Sequence, residues 1–170
     1  MIVLIGESGS GKSTIEKELE NLGYKRIISY TTRQPRDNEI NGVHYNFIDK
    51  DTFKELVNQG FFAEVAYYND NFYGITFRDC TDDRVIVVEL SGLIQLKQKP
   101  ELKVKAFYLK ADDIVRYNRM IQQGRPRIEV LKRLYYDAQA FKNVENHVDV
   151  VVDANGTVDE TLKQILEELK

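Results

Sequence analysis

The N-terminal sequence reads Gly6-Glu7-Ser8-Gly9-Ser10-Gly11-Lys12-Ser13, between the apolar run Ile2–Ile5 and the helix-like segment Lys12–Leu22. This octapeptide matches G-x-x-x-x-G-K-[ST], a pattern that places a glycine loop between a buried strand and a helix. The glycines allow successive backbone N–H groups to point inward at a phosphate, and the helix N-terminus adds a positive partial charge. The pattern predicts a triphosphate-binding loop, with Lys12 at the β- and γ-phosphates and Ser13 available to ligate Mg²⁺.

Strand-like apolar runs alternate with helix-like segments along the rest of the chain, which indicates an α/β protein with a parallel sheet flanked by helices. The further predicted strands are Arg26–Ser29, Arg84–Leu90, Val104–Leu109 and Val148–Val152. The last third is predicted to be helical over Asp112–Gln123, Pro126–Asn143 and Thr157–Lys170.

One segment departs from this alternation. From Asn38 to Tyr73 the sequence alternates polar and apolar residues, becomes rich in aromatic residues and contains an Asn69-Asp70-Asn71 turn, so we expect a small antiparallel β insertion there. The whole pattern predicts a P-loop NTPase-type fold in a single domain, residues 1–170. Its predicted parts are a core of residues 1–33, 75–115 and 140–170, an insertion of about 34–74 and a helical segment of about 116–139.

Composition and charge exclude several classes of protein. The chain has 170 residues, 42% of them hydrophobic and 30% charged, and a formal net charge of -3. These values are typical of one globular domain and give no overall positive field for nucleic acid or an anionic membrane. One cysteine and two histidines argue against a disulfide framework or a zinc site. Because we find no signal peptide or membrane-spanning stretch, we expect a cytoplasmic protein; the sequence leaves its oligomeric state open.

A second basic group follows the second predicted strand, in Ser29-Tyr30-Thr31-Thr32-Arg33-Gln34-Pro35-Arg36. It places two guanidinium groups three residues apart around a proline that restricts the loop. A planar guanidinium never loses its charge, and its fork fits a phosphate dianion. A GTPase would normally carry an N-K-x-D motif, and none occurs here. The sequence therefore favours an enzyme with two phosphate sites over a GTP-dependent switch.

Together the two motifs resemble those of the guanylate kinase family, and the resemblance runs from Gly6 to nearly the end of the chain. It is densest where S-x-T-T-R-x-P-R is followed by Glu39, Gly42, Tyr45 and Phe47. The resemblance implies Mg²⁺-dependent phosphoryl transfer from ATP to GMP, with dGMP as a further candidate acceptor. It also implies that the β insertion binds the monophosphate and that the helical segment forms a lid.

The resemblance assigns roles to particular residues. The ATP-binding residues would be Gly6, Glu7, Ser8, Gly9, Ser10, Gly11, Lys12, Ser13 and Thr14. The GMP-binding residues would be Ser29, Arg33, Arg36, Tyr45, Glu64, Tyr73 and Glu89. The catalytic residues would be Lys12, Arg33, Arg119 and Arg133, and Mg²⁺ would be held by Ser13 and, through water, by Glu89. Weaker candidates are Arg125 and Arg127 in the lid, and Asp153 and Asn155 near the adenine.

Chemistry independently supports Glu64 as the residue that selects the base. Guanine presents N1–H and N2–H₂ side by side, so one carboxylate can accept both donors, whereas adenine offers an N1 acceptor that would repel it. Without the motif context, Glu64 would instead be interpreted as a surface glutamate of a hairpin.

The chain departs from the family pattern at several positions, and these keep two alternatives open. Glu89 stands where the family usually has Asp, Val87 where a second acidic residue often lies, and Ile75 where a hydroxyl residue is preferred. The lid is shortened around Gln123–Arg127. The alternatives are a guanylate-kinase-like binding module with little or no kinase activity, and a P-loop kinase for another phosphorylated small molecule.

Overall fold

The structure is a computed structural model that describes all residues from Met1 to Lys170. The strands are β1 (Ile2–Ile5), β2 (Lys25–Arg26), β3 (Tyr30–Thr31), β4 (Asn46–Phe47), β5 (Phe62–Tyr68), β6 (Asn71–Thr76), β7 (Arg84–Val87), β8 (Lys105–Lys110) and β9 (Val150–Asp153). The helices are α1 (Lys12–Asn21), α2 (Lys50–Asn58), α3 (Leu90–Lys97), α4 (Asp113–Gln122), α5 (Arg127–Ala140) and α6 (Val158–Glu168). None of these helices has the length and apolar composition that a membrane span requires.

The larger sheet has five parallel strands in the order β2-β7-β1-β8-β9. All four residues of the central strand β1 are buried, as expected for an apolar strand covered on both faces. One face packs against α1 and α6, and the other packs against α3. This arrangement confirms the predicted α/β class with a parallel sheet flanked by helices.

Two predicted strands are longer than the observed ones. The strand predicted over Arg26–Ser29 ends at Arg26, because the chain then crosses to the second sheet, which it joins at Tyr30. The strand predicted over Arg84–Leu90 ends at Val87. Glu89 has extended backbone and its carbonyl oxygen accepts from Leu93 N–H, so the chain turns into α3, which lies in a segment predicted to be helix-like but without bounds.

The smaller sheet has four strands in the order β4-β3-β6-β5. It is antiparallel at β3–β6 and β5–β6 but parallel at β3–β4, so the expectation of an antiparallel insertion was wrong for one pair. The parallel pair arises because the chain loops back between Thr31 and Asn46 before it runs alongside β3. The sheet extends from Tyr30 to Thr76, slightly beyond the predicted 34–74, and the division into core, insertion and lid stays a prediction.

Aromatic residues attach α2 to the smaller sheet. The Phe53 ring of α2 stacks on Phe62 with centroids 4.6 Å apart and on Phe72 with centroids 5.4 Å apart. Phe53 is 1% exposed, so this small layer has its own apolar centre beside the main core.

The last third is helical, as predicted. A left-handed Gly124 and Pro126 separate α4 from α5, and a capping box at Thr157 begins α6. Helix α5 ends at Ala140, before the left-handed Asn143, so it is shorter than the predicted Pro126–Asn143. Most residues of α5 are exposed, because its main partner is α4 alone.

Candidate active site

The glycine loop lies between β1 and α1, as the sequence pattern predicts. Gly9 and Gly11 have φ angles of +81° and +101°, a region that favours glycine, and Lys12 is the first residue of α1. The Lys12 side chain folds back over the loop and donates to the carbonyl oxygens of Gly6 and Glu7, the latter at 2.9 Å. Burial lowers the pKa of Lys12, and nearby carboxylates, Glu89 first among them, oppose that shift.

Helix α4 lies on the outer side of this loop. Arg119 Nη1 donates to Ser10 O at 3.4 Å, which places this predicted lid arginine beside the phosphate loop. Arg116, one turn earlier, is more deeply buried and contacts Ser8 and Asp137. Neither Arg116 nor Asp137 was predicted from the sequence. The available signal was that Arg116 stands four residues before the apolar Met120, a spacing that places both on one face of α4.

A cavity of about 320 Å³ opens next to the loop. Its walls come from the loop, from α4 and from the start of α6, and they include Gly9, Ser10, Gly11, Thr14, Arg119, Gln122, Gln123, Ala154, Thr157 and Thr161. Neither Asp153 nor Asn155 lines this cavity. Asn155 instead donates to Asp153 Oδ1 at 2.9 Å and accepts from Asp112 N–H at 2.7 Å, so its side chain holds the turn between β9 and α6.

A second group of predicted residues converges on the smaller sheet. Arg33 Nη2 donates to Glu39 Oε1 at 2.8 Å, and the Arg33 guanidinium carbon lies 5.4 Å from the centre of the Tyr45 ring. The Tyr45 and Tyr73 rings are 6.0 Å apart. Glu39 also accepts from Arg36 N–H at 2.9 Å, so this one carboxylate binds the Arg33 side chain and the Arg36 backbone together. The Arg33 hydrogen bond is the main cause that lowers the pKa of Glu39 to about 2.

Glu64 is buried, contrary to the surface alternative. It is 5% exposed, and burial raises the pKa of its carboxyl to about 7. A methyl group at Gly92 of α3 would lie 2.9 Å from Glu64 Oε1, so the carboxylate fits only because residue 92 has no side chain. The next residue, Val65, is held by Gln95, whose side chain bonds to both Val65 N–H (3.1 Å) and Val65 C=O (3.0 Å).

The first turn of α3 links the two groups of residues. Glu89, at the N-cap of α3, interacts electrostatically with Lys12 of the glycine loop, while Gly92 contacts Glu64 of the smaller sheet. Residues three apart at a helix start lie about 5–6 Å from one another. The two groups therefore lie next to the same turn of α3, Lys12 beside Glu89 and Glu64 beside Gly92.

The remaining predicted site residues differ in their burial and in their hydrogen-bond partners. Ser29 lies between the two sheets, where its carbonyl accepts from Asn46 N–H at 2.9 Å, and Tyr73 pairs with Thr31 in the sheet. The side chain of Arg36 is exposed, as are those of Ser13, Thr14 and Glu89. Arg133 pairs with Glu129 on its own helix at 3.2 Å and has no hydrogen bond or ion pair with the loop, so its catalytic role stays a prediction. Arg125 is half-buried and Arg127 exposed.

The structure also explains one departure from the family pattern. Ile75 is 2% exposed and belongs to the main apolar core. The neighbouring Thr76 hydroxyl donates to Asp79 Oδ2 at 2.7 Å and accepts from Asp79 N–H at 3.1 Å. Thr76 is therefore used in a turn and is not free to replace a hydroxyl at position 75.

A parallel sheet with a glycine loop at its carboxyl edge, facing a second group of arginine, tyrosine and glutamate residues, defines a class of protein, the P-loop nucleoside monophosphate kinases. The family model described as guanylate kinase matches residues 1–170. The chain belongs to the guanylate kinase family, which confirms the resemblance seen in the sequence.

Individual relatives agree with this membership. A guanylate kinase of Prochlorococcus marinus (strain MIT 9312) is 31% identical over 176 residues, which cover 98% of this chain and 94% of that protein. A guanylate kinase of Clostridioides difficile (strain 630) is 35% identical over 156 residues, covering 86% and 76%. The crystal structure of guanylate kinase from Anaplasma phagocytophilum covers 99% of this chain and 83% of that chain with a TM-score of 0.69; at 22% identity this likeness shows the fold.

Proposed function

We propose that this chain transfers a phosphoryl group from ATP to GMP, giving ADP and GDP. The observation that supports the proposal is the first turn of α3, which lies beside Lys12 of the phosphate loop through Glu89 and beside Glu64 of the smaller sheet through Gly92. The two nucleotides would then share one cleft at this turn. Family membership over residues 1–170 supports the same activity.

The cleft has the groups that phosphoryl transfer requires. The reaction needs two oxygens held in line, neutralisation of the moving phosphoryl group and exclusion of water, and it needs little covalent chemistry from the protein. Lys12 and Arg119 lie at the phosphate loop, where they would neutralise the donor phosphates. Arg33, with Tyr45 and Tyr73, would hold the acceptor phosphate. A general base is unnecessary, since that phosphate is already anionic at pH 7.

The donor set in the cleft fits Mg²⁺, a hard cation that prefers oxygen ligands and keeps several waters. Ser13 is exposed on the first turn of α1, and the exposed Glu89 makes no hydrogen bond to the N–H groups that begin α3. Ser13 would bind the ion directly and Glu89 through water. When bound, the ion neutralises charge on the donor phosphates.

Glu64 would select guanine, because a buried carboxylate can accept from N1–H and N2–H₂ together. Burial strengthens this discrimination, since an unmatched polar group in a dry pocket is costly. The same pocket would accept GMP and dGMP if no group in it contacts the ribose 2′-OH, so we include dGMP as a second acceptor.

We place the reaction in the cytoplasm, where both nucleotides and a reducing environment for Cys80 are available. Neither alternative function gains support from the relatives, which carry the name guanylate kinase.

A coupled assay of ADP release tests the proposal with GMP, dGMP, AMP, CMP and UMP as acceptors. We expect the highest rate with GMP, and Lys12→Ala should lower kcat on the order of 10²-fold or more, because it removes a cation from the transferred charge. Glu64→Gln should raise the KM for GMP, since the amide offers one acceptor and an opposing donor. Equal rates with AMP and GMP would contradict the assignment of the base, and no ADP release with any acceptor would contradict the kinase activity.

A further inference from the structure

A buried ion pair holds the phosphate loop from its outer side. Ser8 N–H donates to Asp137 Oδ2 at 2.8 Å, and Ser8 C=O accepts from Arg116 Nε at 3.0 Å. Arg116 Nη2 closes the ring by donating to the same Asp137 oxygen at 2.6 Å. Both backbone polar groups of Ser8 are thus held by one pair, which we call the Ser8 clamp (Arg116 and Asp137).

The clamp joins the loop to both helices of the predicted lid. Arg116 lies on α4 and its side chain is 2% exposed, whereas Asp137 lies near the end of α5 and is 17% exposed. A buried ion pair is rarely more stabilising than well-packed apolar residues of similar size, so packing alone does not explain the pair. Its geometry instead matches the donor and the acceptor of one loop residue.

The clamp also determines where the loop directs its N–H groups. In a trans peptide the C=O and the following N–H point in opposite directions. Because Ser8 C=O faces Arg116, Gly9 N–H points away from α4; because Ser10 C=O faces Arg119, Gly11 N–H does the same. A methyl group at Gly9 would lie 2.9 Å from Arg116 O, so α4 packs directly on this part of the loop.

We propose that Arg116 and Asp137 are positioning residues for the donor triphosphate: by holding Ser8 they direct Gly9 N–H into the cleft before the nucleotide binds. The proposal rests on the proposed function in that ATP is the donor. It goes further, because it assigns affinity for the donor to two residues that act on the loop backbone at Ser8.

The first test is Asp137→Ala, with separate measurement of the two Michaelis constants. We expect the KM for ATP to rise about tenfold or more, because part of the binding free energy of ATP must then order the loop. The KM for GMP should stay within about twofold of the wild-type value. Asp137→Asn keeps an oxygen for Ser8 N–H without the charge, so its KM for ATP should lie between those of the wild type and Asp137→Ala. This variant tests the proposal if the alanine variant is unstable. An unchanged KM for ATP in either folded variant would overturn the proposal.

The double variant Arg116→Met with Asp137→Leu separates positioning from stability. Apolar replacement of a buried pair preserves packing, so its thermal stability should recover relative to Asp137→Ala while the KM for ATP stays raised. Recovery of the KM together with stability would show a structural role alone and overturn the proposal.

Asp149→Ala is the matched control. Asp149 likewise joins a cation, Lys97 at 2.8 Å, to a backbone N–H, that of Ala106 at 2.7 Å, but it precedes β9 at the opposite end of the sheet from the loop. This variant should lower stability without a selective effect on ATP. A selective rise in its KM for ATP, equal to that of Asp137→Ala, would count against the clamp.

Hydrogen exchange in the nucleotide-free protein keeps this test independent of the reaction. Amides from Ser8 to Gly11 should exchange faster in Asp137→Ala and in the double variant than in Asp149→Ala. If the wild-type chain failed to phosphorylate GMP, the proposed function would fail while faster exchange could still support the clamp. Unchanged exchange, with GMP phosphorylation intact, would overturn the clamp alone.

Discussion

The Glu64 carboxylate lies directly against Gly92, with 2.9 Å between Oε1 and the place that a side chain at residue 92 would occupy. The contact joins β5 of the smaller sheet to the first turn of α3, the helix that follows β7 of the larger sheet. A glycine is therefore required for the position of a carboxylate, and the proposed choice of base depends on a residue that would not itself contact the nucleotide.

Gly92→Ala should displace the Glu64 carboxylate and raise the KM for GMP about tenfold, the effect of losing a hydrogen bond to a charged group. The KM for ATP should not change. Alanine favours a helix interior by about 1 kcal/mol over glycine, so any loss of GMP affinity would not reflect a weaker helix. The neighbouring exposed Ser91→Ala is the control, and equal effects of the two variants on GMP would contradict the prediction.

GMP affinity should depend on pH through Glu64. Burial raises the pKa of this carboxyl to about 7, so below pH 7 the free protein increasingly carries the protonated form, which accepts guanine N–H groups poorly. Between pH 8 and pH 6 the KM for GMP should rise about tenfold. The GMP phosphate also titrates near pH 6, and Glu64→Gln shares that effect, so the comparison isolates the carboxyl. Parallel pH profiles for the two proteins would refute the assignment.

Glu64→Gln should stabilise the protein at high pH. Because the pKa of Glu64 rises from 4.5 to about 7 on folding, the folded protein holds a proton that the unfolded chain has lost in this range. The contribution of Glu64 to the free energy of unfolding therefore decreases as the pH rises from 4.5 to 7. The variant should be more stable by on the order of 2–3 kcal/mol at pH 8, with a small difference at pH 5.

Urea unfolding at the two pH values measures this difference. Glu16, whose pKa is also raised to about 7 by burial, is present in both proteins and cancels in the comparison. A variant that is less stable than the wild type at pH 8 would show that the buried carboxylate stabilises the fold.

We expect the protein to become more compact when both nucleotides bind, because α4 and α5 would move toward them. Arg133 lies on the mostly exposed α5 and pairs only with Glu129, so α4 and α5 must move before it can reach a transferred phosphoryl group. The radius of gyration from small-angle scattering should fall when GMP and a nonhydrolysable ATP analogue are both added. A scattering curve that both ligands leave unchanged would rule out this motion and the catalytic role of Arg133.

Features that depend on short local patterns could be predicted from the sequence. The loop Gly6–Ser13 could be placed because four fixed residues stand between an apolar strand and a helix. Glu64 was assigned to the base by the resemblance to the guanylate kinase family, and the pairing of one carboxylate with two guanine donors supports that assignment. The start of α3 could not be placed, because the strand-like run continues through Val88 and only the backbone at Glu89 marks the change.

The long-range contacts could not be predicted in this way. Asp137 contacts Ser8 across 129 residues, and nothing in either local sequence indicates the partner of the other. The burial of Glu64 likewise depends on Gly92, which local sequence would interpret as an ordinary helix residue. Such contacts follow from the packing of the two sheets and of α4 on the loop, which only the assembled fold determines.

The side-chain amide of Gln95 has a consequence for association between molecules. Strand β5 is an edge of the smaller sheet, and exposed edges invite another chain to add a strand and begin aggregation. Because Gln95 binds both polar groups of Val65, it imitates a neighbouring strand at that point. A foreign strand would have to break both bonds to pair at Val65, so a single amide protects this part of the edge from misassembly.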